Sequence, residues 1–204
     1  MTGPQLHVLH ALRLRGLANA ESVAAMTGRA VTEVADLLTV AAGAGLVKER
    51  TGRMSGFTLT PDGRAAHAAG IADDLGADER QHVAKGYAAF VPLNSAFKQL
   101  CTDWQLRTPD EPNDHSDADY DGAVIGRLAA LHVEIAPVVA EVASRAGRFG
   151  TYEPRFAAAL RRVQDGDVTA FARPLADSYH DVWMELHEDL LVSLGRKRDE
   201  ADGH

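Results

Sequence analysis

The chain has 204 residues, 46% of them hydrophobic, which suffices for one or two compact units and is too apolar for a disordered segment. Its 29 acidic and 21 basic residues give a formal charge of −8, and its single cysteine excludes an internal disulfide framework or a cysteine-rich zinc knuckle. No apolar run approaches the ~20 residues that span a bilayer and no basic segment precedes an apolar stretch at the N-terminus, so a soluble, cytoplasmic protein with no membrane partner is expected.

Charge is unevenly spread. Residues 1–70 hold 7 basic and 5 acidic side chains, a net of +2, and the remainder 14 and 24, a net of −10. Attraction to phosphate is local to a surface, so the acidic total does not exclude nucleic acid. Leu6, Leu9 and Leu12, with Val8 and Leu14 beside them, predict a first helix that Gly16 ends. Asn19 can cap a short second helix carrying Ala20, Val23, Ala24 and Met26, closed by Thr27-Gly28. Val34, Leu37, Leu38 and Ala41 predict a third, starting near Val31-Thr32 and ending at Gly43 and Gly45. Residues 46–50 and 57–59 read as two strands around a glycine-containing turn, and Thr60-Pro61 as the cap and first position of another helix.

The stretch AGAGLVKERTGRMSGFTLTPDGRAAHA, in which GLV, a basic hairpin and LTPDGR follow one another, resembles the winged helix-turn-helix regulators, particularly their MarR-like members. The resemblance covers residues 1–70 and implies a DNA-binding domain there. Its third helix would enter the major groove with Arg29, Thr32 and Glu33 facing DNA, while Lys48, Arg50 and Arg53 of the wing would contact phosphates. Double-stranded DNA is the implied partner, and a transcriptional regulator the implied function. The third helix itself has no basic residue and two acids, Glu33 and Asp36, which favours a second reading: a winged-helix adaptor that docks on a protein or regulates an enzyme.

From Gly70 onward helical periodicity dominates and no strand is predicted, so residues 71–204 are expected to form an all-α bundle and the chain to be mainly α. A helix is predicted from near Asp78, bent or divided at Pro92, with Leu93, Ala96, Phe97, Leu100 and Trp104 on its apolar stripe. Residues 107–121 read as an acidic loop. A long helix over 120–146, kinked at Pro137, is followed by shorter ones over 153–163 and before Pro174, and by a last helix over 175–194. The segment ALRRVQDGDVTAFARPLADSYH is similar to the last helices of GntR regulators with FadR-like effector domains, which implies a bundle that dimerises or senses a ligand. A homodimer is expected because two recognition helices are needed to engage two half-sites.

Tyr152, Arg155, Tyr179, His180 and Trp183 are candidate lining for a small-molecule effector pocket, with Arg155 clamping a carboxylate or phosphate. In SYHDVWMELHEDLL, His180, Trp183, Met184, His187 and Leu191 share one helix face, and Asp181, Glu185, Glu188 and Asp189 lie largely on the other. A metal would need one of these histidines together with His132 and a carboxylate such as Glu134 or Asp121; hydrogen-bonded core histidines are the alternative, and no cofactor is expected. The oxygen-rich loop around residues 113–121 lacks the glycine and terminal glutamate of a calcium-binding EF-hand loop. Cys101 reads as a small buried hydrophobe. No phosphate-binding glycine loop, dinucleotide fingerprint, nucleophile elbow or zinc-protease helix is present, so an enzyme is not expected, and a metal-dependent enzyme built on His132 and His180 stands as a third reading.

Overall fold

The computed structural model describes residues 1–52 and 54–196. The first helix, α1 (Gly3–Arg15), begins in a capping box between Thr2 and Gln5 and stops at Gly16. Asn19 caps α2 (Ala20–Thr27) by accepting from the Ser22 amide, and left-handed Gly28 ends it. Helix α3 (Val31–Gly43) buries Val34, Leu38 and Ala41 and leaves its other face in solvent.

Strands β1 (Val47–Arg50) and β2 (Gly56–Leu59) pair antiparallel, Val47 against Leu59 and Arg50 against Gly56. The connector between α1 and α2 joins them, because Ala18 forms a bridge with Phe57. That contact requires glycine at position 56: its φ is +145°, and a Cβ there would lie 2.7 Å from the Ala18 carbonyl oxygen. Thr60 then caps α4 (Pro61–Ile71), with proline in the first turn where its missing N–H does no harm.

The remainder is mainly helical. Helices α5 (Ala77–Gln105) and α6 (Ala118–Ala143) lie against each other, joined through a small hairpin of β3 (Leu106–Thr108) and β4 (Glu111–Pro112). This hairpin differs from the expected loop; its residues are half-buried or exposed, so no apolar alternation marks it in the sequence. The acidic segment closes on Asp121, which accepts from Asn113 Nδ2 at 2.8 Å and pairs with His115 Nδ1 at 2.9 Å. Neither Pro92 nor Pro137 divides its helix. The carbonyls they deprive of a partner belong to Ala88 and Val133, both exposed, where water can bond them. A 3-10 helix (Gly147–Thr151), α7 (Tyr152–Gln164), the short α8 (Thr169–Ala172) and α9 (Tyr179–Ser193) complete the described chain. By length and composition α6 could cross a membrane, with mean hydropathy 1.6 over a stretch that is 28% buried here.

Two hydrophobic cores form and share no residue. One gathers Val8, Leu9, Leu12, Val23, Val34, Leu38, Val47 and Leu59 from α1–α3 and the hairpin. The other gathers Phe90, Phe97, Trp104, Leu128, Ile135, Phe156, Tyr179 and Trp183 from α5 to α9. Between them α1 and α2 meet α9 and the 3-10 helix.

Candidate functional site

Two features stand out, one exposed and one buried. On the exposed side, Thr32 and Glu33 occupy the first turn of α3, and Lys48 and Arg50 project from β1. Arg29 sits just before α3 with its Nη1 2.5 Å from Glu33 Oε1, while its buried Nε has no hydrogen-bond partner. Arg53 lies outside the described residues. The other arginines of this region are engaged within the chain. Arg13 pairs with Glu188 at 2.9 Å and Arg15 with Asp177 at 2.5 Å, and Arg64 donates to the Leu59 carbonyl.

The buried feature lies between the two cores and is built around Asp189 on α9, 2% exposed. His10 of α1 has its Nε2 2.9 Å from Asp189 Oδ1 and its Nδ1 3.0 Å from Nε2 of His67 on α4. Tyr152 Oη donates to Asp189 Oδ2 at 3.0 Å, and Arg148 Nη2 to Oδ1 at 3.1 Å. Arg148 also donates to Ser193 Oγ and, at 2.5 Å, to Asp74, which His7 approaches at 3.4 Å. One turn back on α9, buried Glu185 accepts from Arg155 and has its Oε1 3.5 Å from Arg15. Three segments distant in sequence, α1, residues 148–152 and α9, thus meet at one carboxylate, with His67 and Asp74 joined to it through His10 and Arg148.

The electrostatics follow from this geometry. Burial alone would raise the Asp189 carboxyl; the attraction of His10 and Arg148 and the hydrogen bonds from His10 and Tyr152 outweigh it and hold the group ionised, well below the usual carboxylate range. Burial, then the charges of His10 and Arg13, depress His67 to about 4, so it is neutral at pH 7. Burial beside Asp189 and Glu185 raises Tyr152, which stays a hydroxyl donor. At Glu185 burial wins over Arg155 and Arg15 and raises the carboxyl. A cavity of about 50 Å³ lies against His7, His10, Met26, Arg148, Tyr152 and Asp189, room for water and far below the ~300–1,000 Å³ of an organic ligand pocket.

The residues suggested for an effector pocket fall in two places, with the Arg155 guanidinium 5.7 Å from the Tyr152 ring in one and Tyr179, His180 and Trp183 against the bundle core in the other. Tyr152 belongs to the junction, and Arg155 to the Glu185 pair. Tyr179 and Trp183 are fully buried in the bundle, where Trp183 stacks on Phe97 at 4.3 Å and donates to Asn94 Oδ1 at 2.8 Å. His180 lies beside Phe97, and His132 Nδ1 is 3.3 Å from the Tyr179 hydroxyl. Arg155 also borders an opening of about 230 Å³ with Ala25, Arg162 and Val182. Among the described residues no three histidine, cysteine or acidic side chains gather as metal ligands. Cys101 is half-buried, and burial pushes its thiol up to about 12. What sequence reasoning missed is the junction. Its only trace is the match between His7, His10, Arg13 and Arg15 on the first helix and Glu185, Glu188 and Asp189 on the last.

Comparison with family models, with curated proteins and with solved structures returned no match for this chain.

Proposed function

We propose that the protein is a dimeric, DNA-binding transcriptional regulator, with a winged helix over residues 1–70 and a helical bundle that carries the dimer contact. The observation that carries this reading is the bridge between Ala18 and Phe57. It ties the connector of α1 and α2 to the hairpin, which supports a winged-helix arrangement with the first turn of α3 exposed. Thr32 and Glu33 are then the residues for base edges, Glu33 accepting from cytosine, and Lys48, Arg50 and Arg53 those for phosphate. Arg29, held by Glu33, would exchange that carboxylate for a phosphate.

The dimer contact in this proposal is the outer face of α6, and its occupant is a second copy of the chain. Ala123, Gly126, Ala130, Val133, Pro137 and Ala140 recur there at alternating steps of three and four, all exposed. Gly126 weakens the helix by about 1 kcal/mol relative to alanine, and a Cβ would meet nothing in this chain, so the fold itself gives no reason for it. The stripe sets its own register: an antiparallel pairing centred between positions 131 and 132 places Ala123 against Ala140, Gly126 against Pro137 and Ala130 against Val133 of the second copy. Val133→Glu should yield a monomer in sedimentation; a dimer that survives it would move the contact elsewhere.

DNA binding is tested by selection from a random duplex library across a salt series. An enriched pseudo-palindrome, bound with a salt slope that Arg50→Ala with Arg53→Ala lowers by about 2, is the expected result. Absence of binding at low salt would overturn it in favour of the adaptor. That reading draws on the exposed Val40 beside Glu33 and Asp36 on α3, an acidic face with an exposed apolar side chain.

A further inference from the structure

Residues 15–22, the hairpin turn at Met54 and Ser55, and residues 173–176 of the bundle surround an opening of about 520 Å³. That is about ten times the cavity at the junction and falls within the roughly 300–1,000 Å³ of sites for organic ligands. None of the side chains bordering it is acidic, although the chain carries a net charge of −8. We propose that this opening is a nucleotide site, in which Arg15 and Arg173 hold the phosphate and the base lies between Met54 and Leu175.

The donors point to a phosphate. The Arg15 side chain is 6% exposed; its Nη1 serves both Asp177, at 2.5 Å, and Glu185, at 3.5 Å, and its Nε and Nη2 have no partner among the described residues. Neither nitrogen is sealed from solvent, and Arg15 borders the opening. Arg173 is exposed at the rim with no hydrogen bond or ion pair among the described residues. The hydroxyls of Ser22 and Ser55 are also unspent, as is the side-chain nitrogen of Asn19, whose oxygen caps α2. Donors from several separate segments suit the three terminal oxygens of a phosphate monoester better than the two of a carboxylate. Charge agrees: Arg15, Arg155 and Arg173 against Asp177 and Glu185 leave one positive charge unbalanced.

The remaining walls are apolar. Met54 on the hairpin side and Leu175 on the bundle side are 62% and 50% exposed. Leu175 holds φ +59°, a left-handed conformation that leucine adopts only at a cost. The amides of Leu175, Ala176 and Ser178 all donate to the Asp181 carboxylate, which fixes this wall in place. Those bonds need only a backbone, and half of the leucine side chain stays in water, so the fold explains the loop but not the residue type. A flat ring with Leu175 over one face and the adaptable Met54 over the other would give both side chains a contact. A nucleotide joins such a ring to a phosphate. The inference does not rest on the DNA reading, because binding is read directly on the chain.

Saturation-transfer NMR and calorimetry on the full chain, with each of the four ribonucleoside 5′-monophosphates in turn, test it. At least one should bind with a submillimolar Kd, and its nucleoside and inorganic phosphate, tried separately, at least about tenfold more weakly. Arg173→Ala removes a side chain with no partner in the fold, so thermal unfolding should be unchanged while affinity for the nucleotide drops about tenfold or more. Leu175→Gly, which suits a left-handed backbone, should fold as well as the wild type and also bind the nucleotide more weakly. No binding of any of the four at millimolar concentration, an Arg173→Ala variant that binds like the wild type, or inorganic phosphate bound as tightly as the nucleotide would each overturn the site. Displacement of the nucleotide by random duplex DNA would assign the opening to the DNA face and overturn it as well.

Discussion

Helix α9 is buried on two faces of opposite chemistry. Tyr179, Trp183, Leu186 and Leu190 enter the bundle core, where Trp183 packs against Phe97 and Phe90 at 4.3 and 5.1 Å. Glu185, Asp189 and Ser193 instead meet Arg148 and Arg155 beside them and Arg15 and His10 from across the junction. Both faces exclude water, yet they hold for different reasons. Apolar contact has nothing to gain from hydration when it opens, so its strength barely depends on proton or salt. Charged groups recover their hydration on opening, so their net contribution is a small difference between large terms, and conditions can reverse it.

The largest effect is expected where that difference is disturbed from one side. Asp189→Ala leaves His10, Arg148 and Tyr152 facing a vacated acceptor and should destabilise the chain by about 3–5 kcal/mol in urea unfolding. Trp183→Ala should lose a similar ~3–5 kcal/mol through its cavity, but equally at pH 7 and pH 5. A pH-dependent penalty there would erase the contrast between the two faces. Next comes the titration of the wild type. Because folded His67 is depressed to about 4 from 6.5, its contribution is complete above pH 6.5, falls by about 2–3 kcal/mol as pH drops to 4, and is flat below. Asp189 and Asp74 are depressed carboxyls, so their contribution is lost only at still lower pH, and two separate slopes should appear in stability against pH. At the rim, Arg13→Ala should cost less than about 1 kcal/mol, since that pair is partly in water. Smallest of all, Cys101 should leave stability untouched while reacting with a thiol reagent at pH 8 at least about tenfold more slowly than in urea, as burial raises its thiol to about 12.

Much of the first 70 residues could be read directly. Asn19, Gly28, Thr60 and Pro61 are local signals, and each acts in the structure as its chemistry dictates. The long helices were legible as well, with a bend or division expected at Pro92 and a kink at Pro137; neither helix is divided, and whether a proline divides a helix depends on whether water reaches one carbonyl, which spacing along a chain does not encode. The junction was the least legible part. Periodicity assigned Glu185 and Asp189 to the side of α9 opposite Trp183, which is where they lie, but an acidic face reads as a solvated one. It is buried because α1 brings His10 and Arg15 against it from far off in the sequence and residues 148–155 bring Arg148, Tyr152 and Arg155. Leu175 was read as the start of α9; it adopts φ +59° instead, and its amide donates to Asp181 in the structure that precedes the Ser178 cap.

The bond from His10 to Asp189 joins residues 179 apart, so it ties α1 to α9 across most of the described residues. The core of α1–α3 and the hairpin draws on residues 8–66 alone, but the imidazoles and arginines facing α9 must wait, hydrated and unneutralised, until α9 has been made. A chain truncated before α9 would keep that basic face open, and a nascent-chain probe reading Arg13 or His10 would report the arrival of α9 as a single event.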